Sequence, residues 1–137
     1  MMLLYSIPAV LLALSIHEYS HAFAAYKCGD PTARNLGRMT LDPVKHLDPI
    51  GLICLLLFRF GWAKPVPVNS RNFKHPKKDN IIVSLSGIIA NFILSFIAAA
   101  VLFIAIGLGV TNGIFIHIMV PIITLNITLG IFNLIPI

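Results

Sequence analysis

All ten lysines and arginines of this 137-residue chain lie between Lys27 and Lys78. The sequence on either side, Met2 to Tyr26 and Ile81 to Ile137, carries a single charged side chain, Glu18. An uncharged apolar stretch of about 20 residues crosses a hydrocarbon core of about 30 Å as a helix, because each residue rises about 1.5 Å. The composition agrees: charged residues make up 11% of the chain and hydrophobic residues 58%, where a soluble domain averages about 25% charged. The chain therefore reads as a polytopic membrane protein, all-α with minor β.

Three spanning helices are expected, over 2–26, 81–108 and 114–137. Gly29-Asp30-Pro31 stops the first, with Pro8 as a kink within it, and Thr111-Asn112-Gly113 turns the chain between the other two. Ser84, Gly87, Ala90 and Asn91 give the second helix a face of small residues that allows another helix to approach closely. Pro121, Asn126, Gly130 and Asn133 interrupt the third, and amides at membrane depth imply partners inside a bundle.

Between the first two helices, alternation around Asn35 to Leu41 suggests short strands. The apolar run Ile50 to Phe58 is too short to span. A strand-containing, re-entrant or interfacial β-hairpin region over 32–68 accommodates both, followed by a basic loop over 69–80 that touches lipid headgroups. One compact unit, 1–137, is expected, with no linker, repeat or low-complexity tract.

The net charge of +5 is not the signature of nucleic-acid binding. Asp30, Asp42, Asp48 and Asp79 are interspersed with the cations, so no basic stripe forms. The positive-inside rule instead assigns residues 27–80 to the cytoplasm and the N-terminus to the outside of a multi-pass cell-membrane protein. The first segment is expected to be retained rather than cleaved as a leader, because no cation precedes its apolar run and it contains His17, Glu18 and His21. Cys28 and Cys54 share no metal or redox spacing.

Those three residues form His17-Glu18-Tyr19-Ser20-His21, an H-E-x-x-H motif holding the only glutamate in the chain. Residues four apart on a helix are close enough to turn two imidazoles onto one ion, a Zn²⁺ clamp. Glu18, about 100° round from His17, is placed to act as a base on a metal-bound water in peptide hydrolysis. A carboxylate at membrane depth costs about 2.5 kcal/mol or more, which is why such groups are kept for function. Catalytic zinc takes three protein ligands. His46, Asp48, His75 and His117 remain as candidates for the third, although each has a simpler place in a loop, turn or bundle. Asn91 is a candidate for holding the substrate carbonyl or oxyanion, and equally for a bond between helices.

The arrangement resembles the site-2 protease family of intramembrane zinc metalloproteases, in its compact form without PDZ or CBS domains. His17-Glu18-Tyr19-Ser20-His21 matches the zinc motif. Gly61-Trp62-Ala63-Lys64-Pro65-Val66-Pro67-Val68-Asn69 and Ser86-Gly87-Ile88-Ile89-Ala90-Asn91 are similar to further family segments, and Phe132-Asn133-Leu134-Ile135-Pro136 matches the opening of a third motif. In the family that motif continues into Leu-Asp-Gly, whose aspartate is the third ligand. The chain is therefore expected to be a core truncated before that ligand, with an incomplete zinc site. The resemblance implies cleavage of a transmembrane segment of a membrane protein substrate. An unwound substrate could be held by strand addition near Leu36 to Leu41 or Ile50 to Phe60. A non-catalytic scaffold that binds transmembrane helices is the alternative, and a homo-oligomer is compatible with the sequence.

Overall fold

The computed structural model describes residues 2–58 and 64–134. Among them every regular element is helical: α1 (Met2–Lys27), α2 (Thr32–Asn35), α3 (Pro49–Phe58), α4 (Pro76–Gly107) and α5 (Gly113–Leu134), with single 3-10 turns at Pro43–Lys45 and Ser70–Asn72.

The expected mixture of three spans and a β-hairpin is corrected on both counts. Among the described residues two helices, α4 and α5, are long and apolar enough to cross a membrane, with mean hydropathies of 2.6 and 2.1. α1 is not among them, and His17, Glu18, Tyr19, Ser20 and His21 make its second half polar. No strand forms among the described residues. The apolar run after Pro49 is helical because Asp48 Oδ1 accepts from the backbone N–H groups of Ile50 and Gly51 at 2.9 and 3.3 Å, while Pro49 occupies a first-turn position where no N–H is required. The alternation around Leu36 is broken by Gly37, at φ +72°. Arg38 N–H bonds back to Ala33 O at 2.9 Å and Gly37 N–H to Arg34 O at 3.1 Å, the paired bonds that close a helix on a left-handed residue. The segment Gly61-Trp62-Ala63, the Phe60 end of the expected hairpin and positions 135–137 of the third apolar segment lie outside the described residues.

The helix after the basic loop begins at Pro76, earlier than Ile81. Pro76 suits the first turn, and Asp79 Oδ2 accepts from the His75 N–H at 2.9 Å, which caps the end and favours a carboxylate there.

Chain contacts separate two units. In the first, Met1–Ala13 with Ile88–Ile137, Ala9 of α1, Ala98 of α4 and Ile122 of α5 form a buried cluster. Asn91 Nδ2 donates to Ala13 O at 3.2 Å and to Asn126 Oδ1 at 2.8 Å, and Asn126 Nδ2 donates to Ile122 O at 2.6 Å. Gly130 admits the Phe92 ring, which a Cβ would meet at 2.7 Å. The second unit, Leu14–Gly87, packs Ala22, Ala33 and Val66 in one cluster and Ala25, Phe73 and Val83 in another. Alanines recur along the buried side of α1, letting backbones approach where larger side chains would hold them apart.

Candidate metal centre

The second half of α1 carries His17, Glu18 and His21 in one continuous helix. The local geometry follows from the four-residue spacing: the Nε2 atoms of His17 and His21 face each other at 2.9 Å, with the rings edge to face and centroids 4.5 Å apart. Two imidazole ligands of a tetrahedral ion, each about 2.0–2.1 Å from it, stand about 3.3 Å apart. The pair is thus close to the separation that shared coordination requires.

Tertiary contacts then fix the rings. His21 Nδ1 lies 2.7 Å from Val83 O. A carbonyl can only accept, so Nδ1 carries the proton and Nε2 presents its lone pair. Ser86 Oγ donates to the same carbonyl at 2.6 Å. This is how metal-binding histidines are usually oriented, with the second ring nitrogen donating to a backbone carbonyl or carboxylate. Gly87, one helical turn beyond Val83, is the cradle. A Cβ there would stand 2.6 Å from His17 Cε1, 2.7 Å from His17 Nδ1 and 2.8 Å from His21 Nε2.

Glu18 is buried at 9% exposure, and its Oε2 accepts from the Val66 N–H at 3.0 Å. His17, Glu18 and His21 share a cleft of about 500 Å³ with Pro65, Val66, Val68, Ser70, Asn80, Val83 and Ser84. Its wall joins apolar residues of the Pro65–Val68 segment to polar residues on α4.

The other candidate ligands are placed elsewhere. His46 is buried and its Nε2 donates to Thr40 O at 2.7 Å. Asp48 caps α3. His117 bonds Gly113 O at 2.6 Å, and His75 borders a separate basic surface with Lys77 and Lys78. Among the described residues, no group of three His, Cys, Asp or Glu side chains converges as a metal site. The donors present fit a zinc ion as two of its ligands: an imidazole pair, one ring held by Val83 O, in a pocket shaped by a missing Cβ. Asn91 is fully buried. Its Nδ2 donates to Ala13 O and to Asn126 Oδ1.

Sequence reasoning named Val66 within a family-like segment but gave it no contact with the site, and it did not single out Val83; both meet the site through backbone atoms. It placed Gly87 on a small-residue face and in a family-like segment, with no role at the histidines.

No family model matches the chain, and no solved structure matches it. Among curated proteins it is 41% identical over 140 aligned residues to "Putative zinc metalloprotease YwhC" of Bacillus subtilis, an alignment covering 96% of this chain and 63% of the relative. Rip2 proteins carrying the same designation are 34% identical in Mycolicibacterium smegmatis and 31% in Mycobacterium tuberculosis, over 62% and 66% of this chain. The chain spans just over a third of each Rip2 protein, 34% and 36%.

Proposed function

We propose, from its homology to proteins named as zinc metalloproteases, that this chain is the core of an intramembrane zinc endopeptidase of the site-2 protease type. The observation that carries the reading is the convergence of His17 and His21 Nε2 at 2.9 Å beside buried Glu18, in one cleft. His17 and His21 would hold the ion, and the resemblance of Phe132-Asn133-Leu134-Ile135-Pro136 to the family's third motif points to an aspartate beyond it as the remaining ligand. Zinc, when bound, supplies Lewis acidity and lowers the pKa of water at its open position.

The residues of this chain do the rest. Glu18, with one oxygen held by Val66 N–H, takes a proton from the attacking water and returns it to the departing amine. Pro65, Val66 and Val68 offer an apolar wall to a peptide, while Ser70, Asn80 and Ser84 offer polar contacts. A helical substrate hides its carbonyls in its own hydrogen bonds, so it must unwind before its peptide bond is attacked. The two apolar helices α4 and α5 support placement in a membrane, and the cations between Lys27 and Lys78 support a cytoplasmic location for residues 27–80. The substrate class that fits is a transmembrane segment of another membrane protein.

The test is Glu18→Gln in the full-length protein. Zinc content stays at the wild-type level and cleavage of a membrane-embedded peptide is lost; undiminished cleavage would overturn the mechanism. A non-catalytic scaffold that binds transmembrane helices is the second reading. Full-length protein that binds no zinc would select it.

A further inference from the structure

Asp30 has no place in the reaction, yet few side chains in the second unit are so heavily bonded. It is fully buried, just beyond the end of α1. Its Oδ1 accepts from the Thr32 N–H at 3.1 Å, from the Thr32 hydroxyl and from Asn72 Nδ2 at 2.9 Å, and its Oδ2 accepts from the Asn69 N–H at 2.7 Å. The partners are all neutral. Two of them cap the local turn, and the other two reach across to the sequence about 40 residues downstream.

What they reach is a strap. The segment Lys64–Asn69 has no helical or turn structure and is fixed at both ends. At the first end, Lys64 N–H donates to His46 O at 2.8 Å and Lys64 O accepts from Arg38 Nη2 at 2.9 Å. At the other end Asn69 is held by Asp30, and just beyond it Lys74 N–H bonds Cys28 O at 3.1 Å. In the middle stands Val66, its side chain packed with Ala22 and Ala33. Pro65 and Pro67 flank it, and proline has no N–H. Val66 therefore supplies the only backbone donor from position 65 to 67, and that donor meets Glu18 Oε2.

We propose that Asp30 is a positioning residue, which tethers the strap at Asn69 and thereby holds the Val66 N–H on the Glu18 carboxylate. The proposal rests on the reading of Glu18 as the base. With the tether intact, the carboxylate is held in one orientation by a donor that cannot move away. With Asp30 replaced by asparagine, an NH₂ group stands where an acceptor was, and either the strap or the Asn72 side chain loses its partner.

The experiment uses the full-length protein in detergent micelles, with wild type, Asp30→Asn, Val66→Pro, the double variant and Glu18→Gln. Zinc content, amide hydrogen exchange, and kcat and KM on a fluorogenic transmembrane peptide are measured. Asp30→Asn is expected to keep its zinc, to exchange faster at Val66 and Asn69 while α4 is unchanged, and to lose about 10- to 100-fold in kcat, the usual cost of removing a group that orients a site residue. Val66→Pro, which deletes one N–H from a segment already flanked by prolines, loses kcat to a similar degree. The double variant is no slower than Val66→Pro alone, because Asp30 acts through that bond. Multiplying losses, or unchanged Val66 exchange in Asp30→Asn, would overturn the proposal. If Asp30→Asn fails to fold, Val66→Pro decides: wild-type kcat there overturns it. Wild-type protein that does not cleave, or Glu18→Gln that cleaves normally, counts against the base assignment instead, and the exchange data still judge the tether.

Discussion

Gly87 on α4 leaves no room for a side chain against His17 on α1: a Cβ would stand 2.6 Å from the imidazole Cε1 and 2.8 Å from His21 Nε2. The imidazole pair is thus shaped as much by what α4 lacks as by what α1 carries.

Gly87→Ala should push the rings off this geometry. Alanine favours a helix over glycine by about 1 kcal/mol, so the backbone gains while the site loses. Zinc titration should show affinity weakened by about 10- to 100-fold, the range typical of disturbed ligand support. Gly107→Ala, at a position with nothing within 4 Å of its Cβ, should bind zinc as wild type does.

Metal removal gives a second measurement. An ion that binds only the folded protein stabilises it by about 2.7 kcal/mol at a hundredfold excess over Kd. Chelation should lower the thermal unfolding midpoint of zinc-loaded full-length protein, and His21→Ala should be indifferent to the chelator.

Asp30 makes stability depend on acid. Burial pushes its carboxyl pKa up, but the bonds from Thr32, Asn72 and Asn69 outweigh this and hold it below the ordinary 3.8. A depressed folded-state pKa contributes stability that is fully present above the unfolded value and disappears as pH falls through the folded one. The gap in unfolding midpoint between wild type and Asp30→Asn should be constant above about pH 5 and narrow as the pH drops below 3.8.

In the first unit, Asn126→Leu should destabilise by about 1–3 kcal/mol, because it removes the acceptor of a buried Asn91 donor. Chemical denaturation would measure it. Asn91→Leu combined with Asn126→Leu should cost less than the sum of the two, since no amide is then left facing an apolar partner.

His17, Glu18 and His21 were legible in the sequence because their relation is local: any helix through Ser15 to Ala22 puts the imidazoles on one face. The helix over Pro49–Phe58 was also marked, by Asp48 and Pro49 at its start, but a short apolar run reads equally as a buried strand or helix. The strand expected near Leu36 ignored Gly37, whose positive φ ends α2.

Sequence alone marked His17, Glu18 and His21 as one cluster and the apolar runs that form α4 and α5. It could not tell which residue would hold Glu18 or fix the tautomer of His21, because those partners are the backbone N–H of Val66 and the carbonyl of Val83. Nearly every residue carries these groups, so no side chain marks the ones that a site will use. Only the packing of the Lys64–Asn69 strap and of α4 against α1, through contacts 48 and 62 residues apart in the chain, decided which of them meet the histidines and the carboxylate.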